Sequence, residues 1–286
     1  MVDLLQPESI DELVSALRDD DDAKIIAGGT ALVLMMQQGL IFPEQLVSLR
    51  KIDGLSGVTE ANGCVKIGAT TTLRDVARSA TIQRLFPVLA KACDVVGNVR
   101  IRNAATLGGN LAEADYASDP PAALVSLGAS VDIVGPGGPR ESSVEDLLTG
   151  FYSTSLEHSE VITAINIPAA EHPGRQVYLK YKSRSSEDRP CVGVAACAWM
   201  SVDGHSVERL QIAVGAAAAT PQRFPDLEQI ANGAGLDAGV IASIANGYAE
   251  SIDALDDLRG SEWYRREMTR VFVSRALEAL AVGEVA

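Results

Sequence analysis

Hydrophobic positions along the chain change their spacing several times, and each change predicts an element. Ile10, Leu13, Val14 and Leu17 recur at helical intervals, and the S-x-x-E spacing of Ser9 and Glu12 predicts a capped helix start just before them. The acidic run at 19–22 reads as a solvated turn, 24–27 as a short buried strand, 31–38 as a second helix and 46–49 as another strand. Residues 24–50 therefore predict a small β-α-β unit closed by a right-handed crossover. A second region opens near Gly54. Alternation at Val65-Lys66-Ile67 predicts a strand, 72–79 and 85–96 carry helical patterns, and 131–134 and 161–167 read as strands. Between them, 102–110 reads as a polar, glycine-rich loop, and Asp119-Pro120-Pro121 as a helix start with proline in the first turn. Gly137-Gly138, bracketed by Pro136 and Pro139, is a plain hairpin turn.

The stretch 168–174 is the expected linker. Beyond it, 176–182, 192–202 and 208–215 predict three strands, the last two joined at Asp203-Gly204, a hairpin signal. The remainder is helical, and Tyr264, Met268, Val271, Phe272, Ala276, Ala279 and Leu280 form one apolar stripe on the last helix. The expected fold is α+β, with domains at 1–170 (subdomains about 1–53 and 54–170) and 171–286, the latter a three-stranded antiparallel sheet packed by helices.

Composition narrows the function. Hydrophobic residues make up 47% of the 286 positions, enough for a substantial core. A formal net charge of -14 repels phosphate backbones and anionic lipid, which argues against nucleic acid or a membrane surface as partner. No apolar run is long enough to span a bilayer and the first residues show no signal-peptide pattern, so the expected location is cytoplasmic, without membrane insertion. Cys64, Cys93, Cys191 and Cys197 form no C-x-x-C pair, and His158, His172 and His205 stand singly. No metal site is expected on this chain. There is no G-x-S-x-G elbow either, and no catalytic nucleophile or base is assigned.

Two glycine pairs carry the candidate chemistry. In Ile25-Ile26-Ala27-Gly28-Gly29-Thr30-Ala31-Leu32, a strand, a glycine pair and a helix start place free backbone N–H groups at one point, which favours an anion. The spacing is neither G-x-G-x-x-G nor that of a P-loop, so both of those folds are disfavoured, and a ligand-free strand-to-helix turn explains the pair equally well by itself. Thr106-Leu107-Gly108-Gly109-Asn110 repeats the glycine pair between a hydroxyl and a carboxamide, and Asp119 follows nine positions after Asn110. That carboxylate can accept from polyol hydroxyls or cap the helix at Pro120, with equal weight. The expectation is that amides at 28–30 and 106–110 converge on a single diphosphate.

Ala27-Gly28-Gly29-Thr30, then Ile101-Arg102-Asn103 running into Thr106-Leu107-Gly108-Gly109-Asn110-Leu111-Ala112, then Ala114-Asp115-Tyr116-Ala117-Ser118-Asp119-Pro120-Pro121 together resemble the FAD-binding medium subunit of molybdenum hydroxylases, the carbon monoxide dehydrogenase and xanthine dehydrogenase family. The resemblance spans essentially the whole chain. It implies a two-subdomain FAD-binding domain of the PCMH/vanillyl-alcohol-oxidase-like type, followed by the family's small C-terminal domain. It also implies that 25–32 hold the pyrophosphate, and that Thr106, Gly108, Gly109 and Asn110 lie near the diphosphate and flavin. Asp119 would meet ribityl or adenosine hydroxyls, the backbone at Ile162 would reach the cofactor, and a lysine would lie near the isoalloxazine. Lys180 is favoured over Lys182 for that place, although a solvated strand position is as good a reading of either. The stretch 183–189 departs from the family pattern in being more hydrophilic.

By the same resemblance the protein is a flavoprotein oxidoreductase subunit that passes electrons from an iron–sulfur subunit to an external acceptor. The molybdopterin and [2Fe–2S] clusters would sit on a large and a small partner subunit, in a heterotrimer or its dimer. No covalent flavin attachment is implied. Two rivals are a self-sufficient flavoprotein oxidoreductase of the same fold and a non-enzymatic assembly module that has lost the cofactor.

Overall fold

In the computed structural model, residues 2–169, 174–182, 185 and 188–283 are described. Most of the expected linker and of the hydrophilic stretch 183–189 lies outside them. Strands Lys24–Ile26 and Gln45–Ser48 pair in parallel around helix Leu32–Gln37, forming the expected β-α-β unit. A further strand, Asp3–Leu5, pairs with the other side of Gln45–Ser48. Its three residues are all exposed, so no buried period announces it. Helix Ile10–Asp19 starts where Ser9 accepts the Glu12 amide, and it buries Leu13, Val14 and Leu17. The Glu12 carboxylate takes the Glu8 amide, one residue earlier than a strict capping box.

The second region is an antiparallel sheet of strands Val58–Ala61, Cys64–Gly68, Val161–Pro168, Ser130–Gly135 and Gly138–Ser143, in that spatial order. Val65, Ile67, Val131, Ile133, Ile165 and Ile167 are fully buried on one face, the two-residue period expected of a half-buried strand. The turn at Gly137-Gly138 is open, with Gly138 at φ +94°, as a plain hairpin requires. The pattern at 85–96 is split, because Pro87 sits at the first position of helix Pro87–Asp94 after a separate helix, Ala80–Leu85. The glycine-rich stretch at 102–110 is not a loop throughout. Thr106 caps a helix, Leu107–Glu113, by accepting the Gly109 amide. Two adjacent glycines disfavour a helix by propensity, and tertiary packing overrides that cost.

The C-terminal sheet runs Arg175–Tyr181, Val192–Met200, Val207–Gly215, antiparallel throughout. Its central strand is buried from Val192 to Ala198 on both faces. Ala195, Cys197 and Ala213 join the core of the first domain together with Tyr178, whereas Val192, Val194, Ala196 and Ala198 join a second core under the helices. Such two-sided burial explains the unbroken apolar run. On helix Glu262–Val282 the buried face is Arg265, Thr269, Phe272, Val273, Ala276, Leu277 and Leu280, rotated from the expected stripe, while Tyr264, Met268, Val271 and Ala279 flank it. Arg265 escapes a hydropathy reading because its charge is satisfied inside: it donates to the carbonyls of Cys191 and Ala216 and, at 2.6 Å, to Asp257. Asp257 also accepts from Tyr116 at 2.7 Å, which ties the C-terminal helices to the first domain. Burial pushes the Asp257 carboxyl up, but the hydrogen bonds from Tyr116, the Arg259 amide and Arg265 outweigh it and hold it at about 2.

Candidate functional site

Helix Leu32–Gln37 begins without a side-chain cap, and none of the backbone N–H groups from Gly28 to Leu32 has an acceptor among the described residues. They point a partial positive charge at a cleft of about 810 Å³. The opposite wall is the start of helix Leu107–Glu113. The two stretches touch: a Cβ on Gly28 would sit inside the Ala104 carbonyl, so only glycine lets the first turn approach the second. Gly29 adopts φ +70°, the left-handed region that turns the strand into the helix.

Every residue expected at the site from Ile25 to Leu32, together with Thr106, Gly108, Gly109, Asn110, Asp119, Ile162 and Lys180, lines this one cleft. Lys182 does not. The part of the expectation that concerned free amides at 106–110 requires correction. Leu107 N–H donates to Thr71 O, Gly108 N–H to Ala69 O, Gly109 N–H to Thr106 Oγ1 and Asn110 N–H to Thr106 O. A Cβ on Gly108 would press on Ala69, 2.6 Å from its own Cβ, so that glycine serves close helix–strand packing. A Cβ on Gly109 would meet only the Thr106 hydroxyl oxygen, at 2.7 Å. What this wall offers the cleft is bare Cα surface and the Thr106 and Asn110 side chains, with Asn110 bonded to Ser118.

Asp119 does not cap its helix. Its backbone is already helical and its side chain makes no cap bond. Instead the carboxylate is 3% exposed and receives Tyr178 Oη–H on Oδ1 at 2.8 Å and Lys180 Nζ on Oδ2 at 2.8 Å. Burial pushes its carboxyl up to about 6, against the opposing pull of Lys180 and the Tyr178 hydroxyl. Lys180 is equally far from a solvated strand position: its side chain is 3% exposed and donates also to Val95 O at 2.9 Å. Sequence reasoning gave Tyr178 no site role, though its i, i+2 spacing from Lys180 on a strand places both side chains on one face. It also missed the Arg189–Asp115 ion pair (2.8 Å) at the rim. Glu113 lines the same rim, with its carboxyl raised by burial and by Asp115.

Bare glycine surface, a run of amides without acceptors among the described residues and a buried lysine lining one cleft of this volume suit a large ligand with an anionic group, and a dinucleotide such as FAD fits that donor set. Comparison with known proteins agrees. The family described as FAD binding domain in molybdopterin dehydrogenase matches residues 1–170, and the CO dehydrogenase flavoprotein C-terminal domain matches 177–280. The carbon monoxide dehydrogenase medium chain of Hydrogenophaga pseudoflava is 31% identical, over 96% of this chain and 94% of that protein. The nicotine 6-hydroxylase medium subunit of Paenarthrobacter nicotinovorans is 31% identical over 95% and 94%. Among solved structures, carbon monoxide dehydrogenase from Hydrogenophaga pseudoflava superposes with a TM-score of 0.94 at 31% identity, covering 100% of this chain and 98% of that one. Quinoline 2-oxidoreductase from Pseudomonas putida 86 gives 0.93 at 29% identity, covering 100% and 99%. The chain belongs to the family of FAD-binding medium subunits of molybdenum hydroxylases.

Proposed function

We propose that this chain holds one FAD non-covalently in the cleft and, through it, hands electrons from a partner's iron–sulfur cluster to an external acceptor. The observation that carries this reading is the run of backbone N–H groups from Gly28 to Leu32 left without acceptors among the described residues, beside a wall of glycine. Bound there, FAD supplies chemistry that accepts single electrons and releases pairs. The protein's own part is to bind, orient and exclude water. Gly28 to Leu32 would donate to the diphosphate, Thr106 and Asn110 would line the opposite side, Asp119 would lie by ribityl or adenosine hydroxyls, the Ile162 backbone would reach the cofactor, and Lys180 would lie near the isoalloxazine. No side chain is required as nucleophile or general base.

In this reading residues 1–170 are the cofactor domain, divided near 53, and 171–286 form a second domain that closes one side of the cleft. The partners are a large molybdopterin subunit and a small [2Fe–2S] subunit, assembled as a heterotrimer or its dimer. Leu34, Leu40 and Phe42, exposed near the first glycine turn, are apolar groups of the sort that subunit contacts cover. No helix among the described residues is long and apolar enough to cross a membrane, and we place the complex in the cytoplasm.

Two measurements test the reading. Purified protein should show flavin absorbance at one FAD per chain, released by denaturation without a covalent remnant. Affinity purification from its own cells should recover two further chains, one carrying molybdopterin and one carrying iron–sulfur clusters. A chain that stays colourless after incubation with FAD would refute the assignment.

A further inference from the structure

The buried group around Asp119 contains one member without a part in the reading above. Tyr178 lies on strand Arg175–Tyr181 of the C-terminal sheet, 2% exposed, with its ring in the core of the first domain. Its hydroxyl donates to Asp119 Oδ1 at 2.8 Å, while Lys180, two residues along the same strand, donates to Oδ2. Asp119 makes no bond to its own helix start, so the direction of its carboxylate is set by the strand opposite. The neighbouring strand makes room for the hydroxyl: residue 193, paired with Lys180, is glycine, and a Cβ there would lie 2.5 Å from Tyr178 Oη.

We infer that Tyr178 is a positioning residue, which by fixing Asp119 fixes the Lys180 ammonium at the cleft wall as a charge and hydrogen-bond donor toward the bound flavin. The inference rests on the FAD reading of the cleft. An ammonium has three donors, and Lys180 uses one on Asp119 and one on Val95 O at a helix C-terminus. The third remains for a ligand in the cleft that Lys180 lines. This arrangement holds only while Asp119 is ionised and oriented. Without the tyrosine hydroxyl, Oδ1 becomes a buried acceptor with no donor, which disfavours the carboxylate. The groups facing Asp119 are Tyr178, Lys180 and Lys182 from the strand side and the buried Cys93 thiol from helix Pro87–Asp94. Burial raises the Cys93 and Tyr178 protons well above the neutral range, so both stay neutral across it.

The test is the dissociation constant of FAD from the full-length apoprotein, followed by flavin fluorescence between pH 5 and 8.5, in wild type, Tyr178→Phe and Gly193→Ala. The wild-type profile should inflect in the acidic range where Asp119 titrates. In Tyr178→Phe the inflection should move up by about one pH unit, so that FAD is held about twofold more weakly at pH 7 and about ninefold more weakly at pH 5, as the ionised fraction of Asp119 falls. Gly193→Ala, which displaces the hydroxyl without touching Asp119, should move the inflection the same way and serves if the phenylalanine variant folds poorly. Loss of affinity with an unmoved inflection in both variants means that Tyr178 merely packs, and overturns the inference while leaving the FAD reading intact. A wild type that takes up no FAD overturns both.

Discussion

At Gly28-Gly29 the chain leaves its N–H groups without acceptors among the described residues and starts the next helix with no side-chain cap. At Gly108-Gly109, across the same cleft, each amide from Leu107 to Asn110 is bonded inside the protein and Thr106 caps the helix. The dipeptide is the same and the physics is opposite. The first turn is unfinished as a piece of protein structure, and a ligand with anionic oxygens completes it. The second is complete without any ligand, and its glycines let a helix lie close to Ala69 on one side and present smooth surface on the other. The first turn should therefore bear on ligand affinity through its amides, and the second through the bare surface at Gly109, while the packing at Gly108 should bear mainly on the apo fold.

Gly28→Ala should have the largest effect, because the new methyl would collide with backbone at Ala104 that cannot rotate away. We expect FAD affinity to fall by more than about a hundredfold, beyond roughly 2.7 kcal/mol, with a lower melting temperature as the two turns part. Flavin stoichiometry and thermal unfolding read both. Retention of FAD at full occupancy would mean that the turns need not touch. Gly109→Val comes next. Its side chain enters the cleft and meets only the Thr106 hydroxyl, so flavin binding should be blocked while the apo melting temperature drops by the equivalent of about 1 kcal/mol, the worth of a cap. Gly108→Ala should invert that ratio. It overpacks against Ala69 and should destabilise the apo fold by about 1–3 kcal/mol, with a smaller change in FAD affinity measured at a temperature where the variant is folded. A larger effect on FAD than on melting would make the two glycines equivalent and break the contrast.

The contrast was only half legible in the residues. Both glycine pairs and their order could be read, because strand–glycine–helix is a local pattern and Gly28 and Gly29 sit between a clear strand and a clear helix; that the two stretches share one cleft was implied only by the family resemblance. Which amides are already bonded could not be read, because the acceptors Ala69 and Thr71 lie far away in sequence and on another element. Asp119 shows the same limit. An aspartate before two prolines matches a helix cap, and only the strand carrying Tyr178 and Lys180, about sixty residues on, turns its carboxylate inward. Strand Asp3–Leu5 was invisible because none of its side chains is buried, and Arg265 because its guanidinium is paired with Asp257 and bonded to two carbonyls, partners no hydropathy pattern records. What a window of neighbouring residues determines was legible; what a distant partner determines was not.

Thr106→Val should have the smallest effect and divides the two turns most cleanly. Valine keeps the shape of threonine and removes the oxygen that accepts the Gly109 amide, so the apoprotein should lose about 1 kcal/mol. The freed N–H then faces the cleft as the amides of Gly28 to Leu32 already do, which converts the second turn toward the condition of the first. Bound FAD can supply the missing acceptor, so the loss in melting temperature should be smaller with saturating FAD than without it. Thr106→Ser, which keeps the oxygen, should show neither change. Equal losses with and without FAD would place the Gly109 amide out of the ligand's reach, and the glycine wall would then shape the cleft without bonding to what it holds.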